Sequence, residues 1–378
     1  MCCLGSASAQ EKPATIHGHV NNAAGMAIVK GSVRLTTEHS SDPIKTKWSY
    51  TFPIDGNGDY KGDGIVPNTY LLVVVAPDAS NTDRSIDYIE DVKIKAGDDL
   101  VENFDMTRKA FIDKMTPEEK KALEEYKKLV AANAAGNAKI ANLNASLKEA
   151  REDNKAGKFD AAVAVMTPAT QQAPEQAILW ITLGDAQLGI ADAAMKQAKI
   201  AGQSPTDPAL LQKYTDAAAS YKKGADANAA SKKPSPETAG DAYNQMGLAY
   251  GRSGDVKDAI DAFDQAAKAE PAKAATYYYN GAATFFNLNK VDEAAAEADK
   301  AIAADPKKAD AYFIKGQSLI QKVTVDPKTN KITAPPGCVD AYQMYLQLAP
   351  DGAHAKDVRD VLTGIGETVK TNFKAGKK

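Results

Sequence analysis

The chain has 378 residues, 44% hydrophobic and 25% charged, with a formal net charge of −3 and a pI near 5.9. That length exceeds one ordinary core and suits two or three domains, and the composition is that of a folded globular chain rather than a disordered or fibrous one. The balance of charge gives no basic face for nucleic acid, and no run approaches the roughly 18 apolar residues of a membrane-spanning helix.

At the N-terminus, Ala7-Ser8-Ala9 fits the A-x-A pattern that precedes signal-peptidase cleavage, although no basic n-region or long apolar stretch stands before it. Residues 1–9 are read as the remnant of an export signal, which places the protein in the periplasm or outside a bacterial cell. Cys2 and Cys3 fall in that segment, and Cys338 alone cannot form an internal disulfide.

Residues 13–108 read as short strands rich in β-branched and aromatic residues: HGHV (17–20), GSVRLTT (31–37), SYTFPI (49–54), TYLLVVVA (69–76), EDVKIK (90–95) and VENFDMT (101–107). Between them DGNGDYKGDG (55–64), PDASNTD (77–83) and KAGDD (95–99) carry turn chemistry. Many strands in so short a span predict a small antiparallel β-sandwich. At Met115 the period changes. Thr116-Pro117-Glu118-Glu119 combines a Thr cap, a first-turn Pro and a Glu three residues on, which is a capping box. One long helix, or two broken near Gly136, is expected, and 109–142 forms a helical neck.

Beyond the neck a spacing recurs. Tyr243, Tyr250, Ala259, Phe263, Ala266 and Pro271, each advanced by 35, give Tyr278, Phe285, Ala294, Ala298, Ala301 and Pro306. Upstream, Gly157, Ala162, Met166, Ala169 and Pro174 repeat the intervals of Gly254, Ala259, Phe263, Ala266 and Pro271. Trp180-Ile181-Thr182-Leu183-Gly184 opens another unit, and Tyr312 with Gly316 opens a fifth. Small residues at Gly247 and Ala259 let two helices cross closely, Tyr250 and Phe263 fill space between units, and Pro271 stops the second helix.

This pattern resembles the tetratricopeptide repeat, with W-x2-L-G-x2-Y, then A-x3-F, then P. The resemblance implies an all-α superhelix in 143–352, built from units 143–176, 177–239, 240–274, 275–308 and 309–352, with 353–378 as capping helix and basic, solvated tail. Extra length falls in the second unit, around IAGQSPTDPALL and ASKKPSPETAG, and in the fifth, where VTVDPKTNKITAPPG reads as an exposed loop or short hairpin. The N-terminal segment is similar to the carboxypeptidase-regulatory-like, transthyretin-like sandwich. That likeness rests on Gly18-x-Val20, Gly31-x-Val33-x-Leu35, the run Asp55 to Tyr60, and Ile65-Val66-Pro67-Asn68-Thr69-Tyr70. The family usually has Gly after that Pro, and Asn68 is expected to take the left-handed place. The overall class is therefore multidomain α+β.

In the repeat family a partner lies along the concave surface formed by the first helix of each unit. Carried over, that surface comprises Asn244, Leu248 and Arg252, then Tyr279, Ala283, Phe286 and Asn287, then Phe313, Gln317 and Ile320. Three aromatics in one groove suit an apolar segment of another protein; the plainer reading has them packing on neighbours or on the C-terminal helix. The Lys and Asn with which some members clamp a terminal carboxylate are replaced by Ile181 and Asp185, or by Asn244 and Leu248.

No catalytic, metal or cofactor site is assigned. Asp55, Asn57, Asp59 and Asp63 have calcium-like spacing, but Tyr60 and Val66 stand where an EF-hand needs Gly and Glu. His17 and His19 share a strand face with only His39 as a further histidine in the domain, and His354 stands alone near the last helix. No G-x-S-x-G, H-E-x-x-H or phosphate-binding loop occurs, and Cys338 reads as a structural thiol. The sequence thus predicts a non-enzymatic, exported scaffold that binds a protein segment. The rivals are head-to-tail self-assembly of copies into a filament, and carbohydrate binding through Trp48 of the sandwich.

Overall fold

The computed structural model describes residues 12–77, 81–328 and 332–370, so the A-x-A segment and the basic end of the tail lie outside the described residues. The chain divides into two compact units, 1–138 and 139–378. In the first, β1 (Ala14–Asn21), β2 (Ser32–Thr36), β3 (Tyr50–Pro53), β4 (Asp59–Ile65), β5 (Asn68–Pro77), β6 (Asp83–Ile94), β7 (Asp99–Val101) and β8 (Phe104–Asp105) form two sheets. One has the order β4–β1–β7, with β8 also on β1; the other runs β3–β2–β5–β6. Ile16 and Val20 of the first sheet share one core with Val33, Leu35, Leu72 and Val74 of the second. The pairings are antiparallel except on one side of β1, which runs parallel to β7 and β8. The chain leaves β6 for the other sheet through the KAGDD turn, so β7 arrives as a crossover rather than a hairpin return.

Two details depart from the expectation. DGNGDYKGDG is only partly a turn: its second half is β4, where Tyr60 and Gly62 are buried between exposed Asp59, Lys61 and Asp63. Gly62 lies against Phe52, whose ring atoms would stand 2.3 Å from an added Cβ. Gly64, at φ +76°, makes the bulge at which the pairing slips between Ile16 and Ala14. Asn68 is not left-handed; it starts β5 and pairs with Ile94. β5 is apolar on both faces because Trp48 covers the outer one, at Leu71, Val73 and Val75, with Arg34 5.7 Å from the indole centroid. The indole is therefore a cover for the sheet rather than an open sugar platform.

After the short α1 (Lys109–Ile112) comes α2 (Pro117–Lys155), one unbroken helix of 39 residues. The capping box closes as expected: Glu119 N–H donates to Thr116 Oγ1 at 3.2 Å, and Thr116 N–H donates to the Glu119 carboxylate at 2.8 Å. Gly136 does not interrupt it, since one helical glycine costs only about 1 kcal/mol. No helix among the described residues is long and apolar enough to cross a membrane.

The second unit continues with α3 (Phe159–Gln172), α4 (Ala177–Ile200), α5 (Pro208–Ala230), α6 (Pro236–Ser253), α7 (Val256–Ala269), α8 (Ala274–Asn287), α9 (Val291–Ala304), α10 (Ala309–Ile320), α11 (Cys338–Leu348) and α12 (Ala355–Gly364). Caps set the bounds. Asp207, Ser235 and Asp255 accept first-turn N–H groups, Pro208 and Pro236 fit the first turns of α5 and α6, and Gly254, at φ +89°, ends α6. The extra length around 200 and 232 goes mostly into helix: α4 and α5 have 24 and 23 residues against 14 for α7, α8 and α9. VTVDPKTNKITAPPG holds a short hairpin, β9 (Thr324–Val325) against β10 (Ile332–Thr333). α12 buries Val358 and Leu362 against Tyr342 and Leu346 of α11.

Three of the helix pairs, α4 with α5, α6 with α7 and α10 with α11, cross on a glycine facing a ring. An added Cβ would stand 2.7 Å from Tyr221 at Gly184, 2.9 Å from Phe263 at Gly247, and 2.6 Å from Tyr342 at Gly316. Backbone approach of this kind is what the small positions of the repeat provide. α7 ends at Ala269, and Pro271 begins a single 3-10 turn.

Candidate protein-binding surface

The first helices of successive pairs lie side by side, α4 touching α6, α6 touching α8 and α8 touching α10. On this row Tyr279, Ala283 and Phe286 of α8 and Phe313 of α10 sit half-buried over Ala282, Ala298 and Ile314. The structure thus brings together one part of the sequence-derived set. Leu248 and Phe286 also pack against the neighbouring Phe263–Phe285 cluster. Asn244 accepts a hydrogen bond from Asn280 Nδ2 at 2.9 Å, joining α6 to α8. Gln317 is half-buried on α10, and Ile320 packs into the C-terminal cluster.

Phe313 also belongs to the C-terminal cluster, and Arg252 and Asn287 lie apart. Phe313 stacks on His354 at 3.9 Å and 5°, with Tyr345 5.5 Å away, so one face of its ring is covered. His354, expected to stand alone, is the lid on that ring. Arg252 and Asn287 line a cleft at the helix ends, Arg252 paired with Asp192 at 2.6 Å. Asp192, Lys196 and Lys199 were invisible to the family pattern because the extension of α4 that carries them has no counterpart in it. Asp185, at a clamp position, is already used: Tyr221 donates to it at 2.8 Å, and burial raises its pKa above the ordinary range.

Glu297 is the least comfortable group here. It stands 35 residues after Ala262, while Gly281 stands 35 after Met246, so the fourth pair exchanges large and small at this crossing. Its side chain is 1% exposed; one oxygen pairs with Lys300 at 2.9 Å and the other has no hydrogen-bond partner. Burial raises its pKa from the ordinary 4.5, against the opposing pull of Lys300. A carboxyl raised in the folded state stabilises below its ordinary value, and that stability is lost as pH rises through the raised value. Glu297→Gln is therefore expected to flatten the decline of the second unit's urea midpoint as pH rises above the ordinary 4.5. An unchanged decline would show that Glu297 does not titrate there.

In the first unit Asp55 accepts the N–H groups of Asn57 and Asp59 at 2.8 and 2.9 Å, which is turn chemistry. His19 bonds Asp59 at 2.7 Å and Asn21 at 3.1 Å, the carboxylate being the main reason its pKa is raised. Among the described residues no group of three His, Cys, Asp or Glu is placed to hold a metal ion.

The family model of the tetratricopeptide repeat matches residues 244–283 and 279–326. Residues 244–326 are similar to the tetratricopeptide repeat. The match spans α6 to α10, the stretch with the glycine-on-ring crossings at Gly247 and Gly316 and the aromatic cluster between them. No curated protein matches the chain. Among solved structures it is similar to MamA, at 18% identity over 57% of this chain and 94% of that one, with a TM-score of 0.38. It is also similar to YrrB, described as a tetratricopeptide-repeat protein with an unusual peptide-binding site, at 14% identity over 57% and 90% of the two chains and a TM-score of 0.35.

Proposed function

We propose that this protein is a non-enzymatic scaffold whose repeats dock a segment of another protein across α8 and α10. The observation that carries this reading is the half-buried set Tyr279, Ala283, Phe286 and Phe313 on adjacent first helices. Side chains of that kind offer large contact area with little rotamer entropy to lose, which is the chemistry of interface hot spots. The open side of Phe286 is the centre of the surface, and the hydrogen-bonded Asn244–Asn280 pair forms a polar margin beside it.

The test is selection from a random displayed peptide library on the full-length chain, repeated on Phe286→Asp and on Gln317→Arg, with circular dichroism to verify helicity. Peptides enriched on the wild type and lost on both variants support the surface. Equal enrichment on all three proteins removes it. Size-exclusion chromatography with light scattering runs alongside: mass rising with concentration in the wild type and not in Phe286→Asp would replace the outside partner by a second copy of the chain.

A further inference from the structure

Asp192, Met195, Lys196 and Lys199 recur at spacings of three and four toward the end of α4, so they share one helix face. That face borders an open cleft of about 530 Å³ that is also lined by Tyr214, Arg252 and Leu288. Such a volume falls within the range of ligand sites, about 300–1,000 Å³.

The cleft's charge is unbalanced. Asp192 stands four residues before Lys196, the spacing of a helical ion pair, yet both of its oxygens are taken. The Tyr214 hydroxyl donates to Oδ1 at 3.0 Å, and Arg252 Nη1 donates to Oδ2 at 2.6 Å. Among the described residues neither Lys196 nor Lys199 has an ion-pair partner. Beside them Ile200 is 72% exposed and Leu288 38% exposed. Lysines in a last turn also suit the negative end of a helix, but that effect asks for no bare isoleucine next to them.

We propose that this cleft takes an acidic peptide segment, with a bulky apolar side chain against Ile200 and Leu288 and its flanking carboxylates at Lys196 and Lys199. A purely apolar segment would leave the two ammonium groups unanswered, and a bare anion would leave the apolar surface in water. Arg252, its charge answered by Asp192, links the site to α6. The inference rests on the reading of the chain as a segment-binding scaffold and adds the chemistry of the segment.

The probe is fluorescein-labelled Glu-Glu-Leu-Leu-Glu-Glu, titrated by anisotropy against the full-length chain. Gln-Gln-Leu-Leu-Gln-Gln and Glu-Glu-Ala-Ala-Glu-Glu serve as controls for charge and for apolar contact. Binding is expected to weaken about tenfold or more in the double variant Lys196→Glu, Lys199→Glu, in Ile200→Ser, and with each control peptide. It should also weaken steeply as salt rises, because the lysines are exposed. Both variants alter exposed side chains, so folding is expected to persist, which circular dichroism verifies. Equal binding by the wild type and the lysine variant overturns the proposal, as does the absence of measurable binding to the wild type. Loss of binding in Phe286→Asp alone would put the peptide on the aromatic surface, overturning the cleft while the scaffold reading stands.

Discussion

Phe263→Ala is expected to remove about 4 kcal/mol from the stability of the second unit. The ring is fully buried and meets Phe285 edge-on, with centroids 6.4 Å apart and planes at 87°. It also lies under two glycines of neighbouring helices, Gly247 and Gly281, whose added Cβ atoms would come within 3.0 Å of it. One side chain therefore joins α6, α7 and α8. Alanine leaves a cavity whose walls belong to three helices, none of which can move in without leaving its other partner. Because each pair of a repeat array leans on its neighbours, the loss should propagate to α8 and α9 rather than stay local. Urea unfolding followed by helical circular dichroism measures it. A change below about 1 kcal/mol would show that the helices close over the gap, and Phe263→Leu should cost distinctly less than Phe263→Ala.

Arg108→Ala is expected to destabilise the first unit by about 3 kcal/mol. Asp87, 6% exposed, receives both guanidinium nitrogens of Arg108 at 2.6 and 2.5 Å, and Arg108 Nη1 also donates to the Asp105 carbonyl at 2.8 Å. Arg108 is itself 38% exposed, so the pair gains less than a fully dry one. The damage lies mostly in the carboxylate left behind, which would be buried without a counter-charge. The companion variant makes the claim sharp: Asp87→Leu with Arg108→Met removes both charges and should recover most of the loss. If the double variant is no better than the single one, the stranded charge is not the cause. Thermal unfolding of both proteins, monitored at the sheet bands, decides it.

Short-range chemistry accounts for what the sequence made legible. The Thr116–Glu119 box and the small position Gly247 each depend on residues at fixed separation, and each appears in the structure in its expected role. What escaped depends on partners far along the chain. β4 looks like a turn until β1 is beside it to bury Tyr60, and the parallel pairing of β7 follows from which sheet the chain re-enters. The surface shows the same division. The spacing places Tyr279, Ala283 and Phe286 on one helix, but nothing local says that His354 will cover Phe313. The long α4 and α5 had been visible only as surplus residues. Their consequence, a cationic cleft at the end of α4, required the three-dimensional neighbours Tyr214 and Arg252 that occupy Asp192.

Cys338 begins α11 with no accessible surface, its thiol donating toward the Gly316 carbonyl at 3.7 Å and pushed up by burial to about 11. A thiol so hidden and so weakly acidic is inert while α11 rests on α10. Alkylation at this residue, followed by peptide mass, is therefore a clock set into the repeat array: each modified molecule records one parting of its last helix pair, at a position where no label has to be engineered.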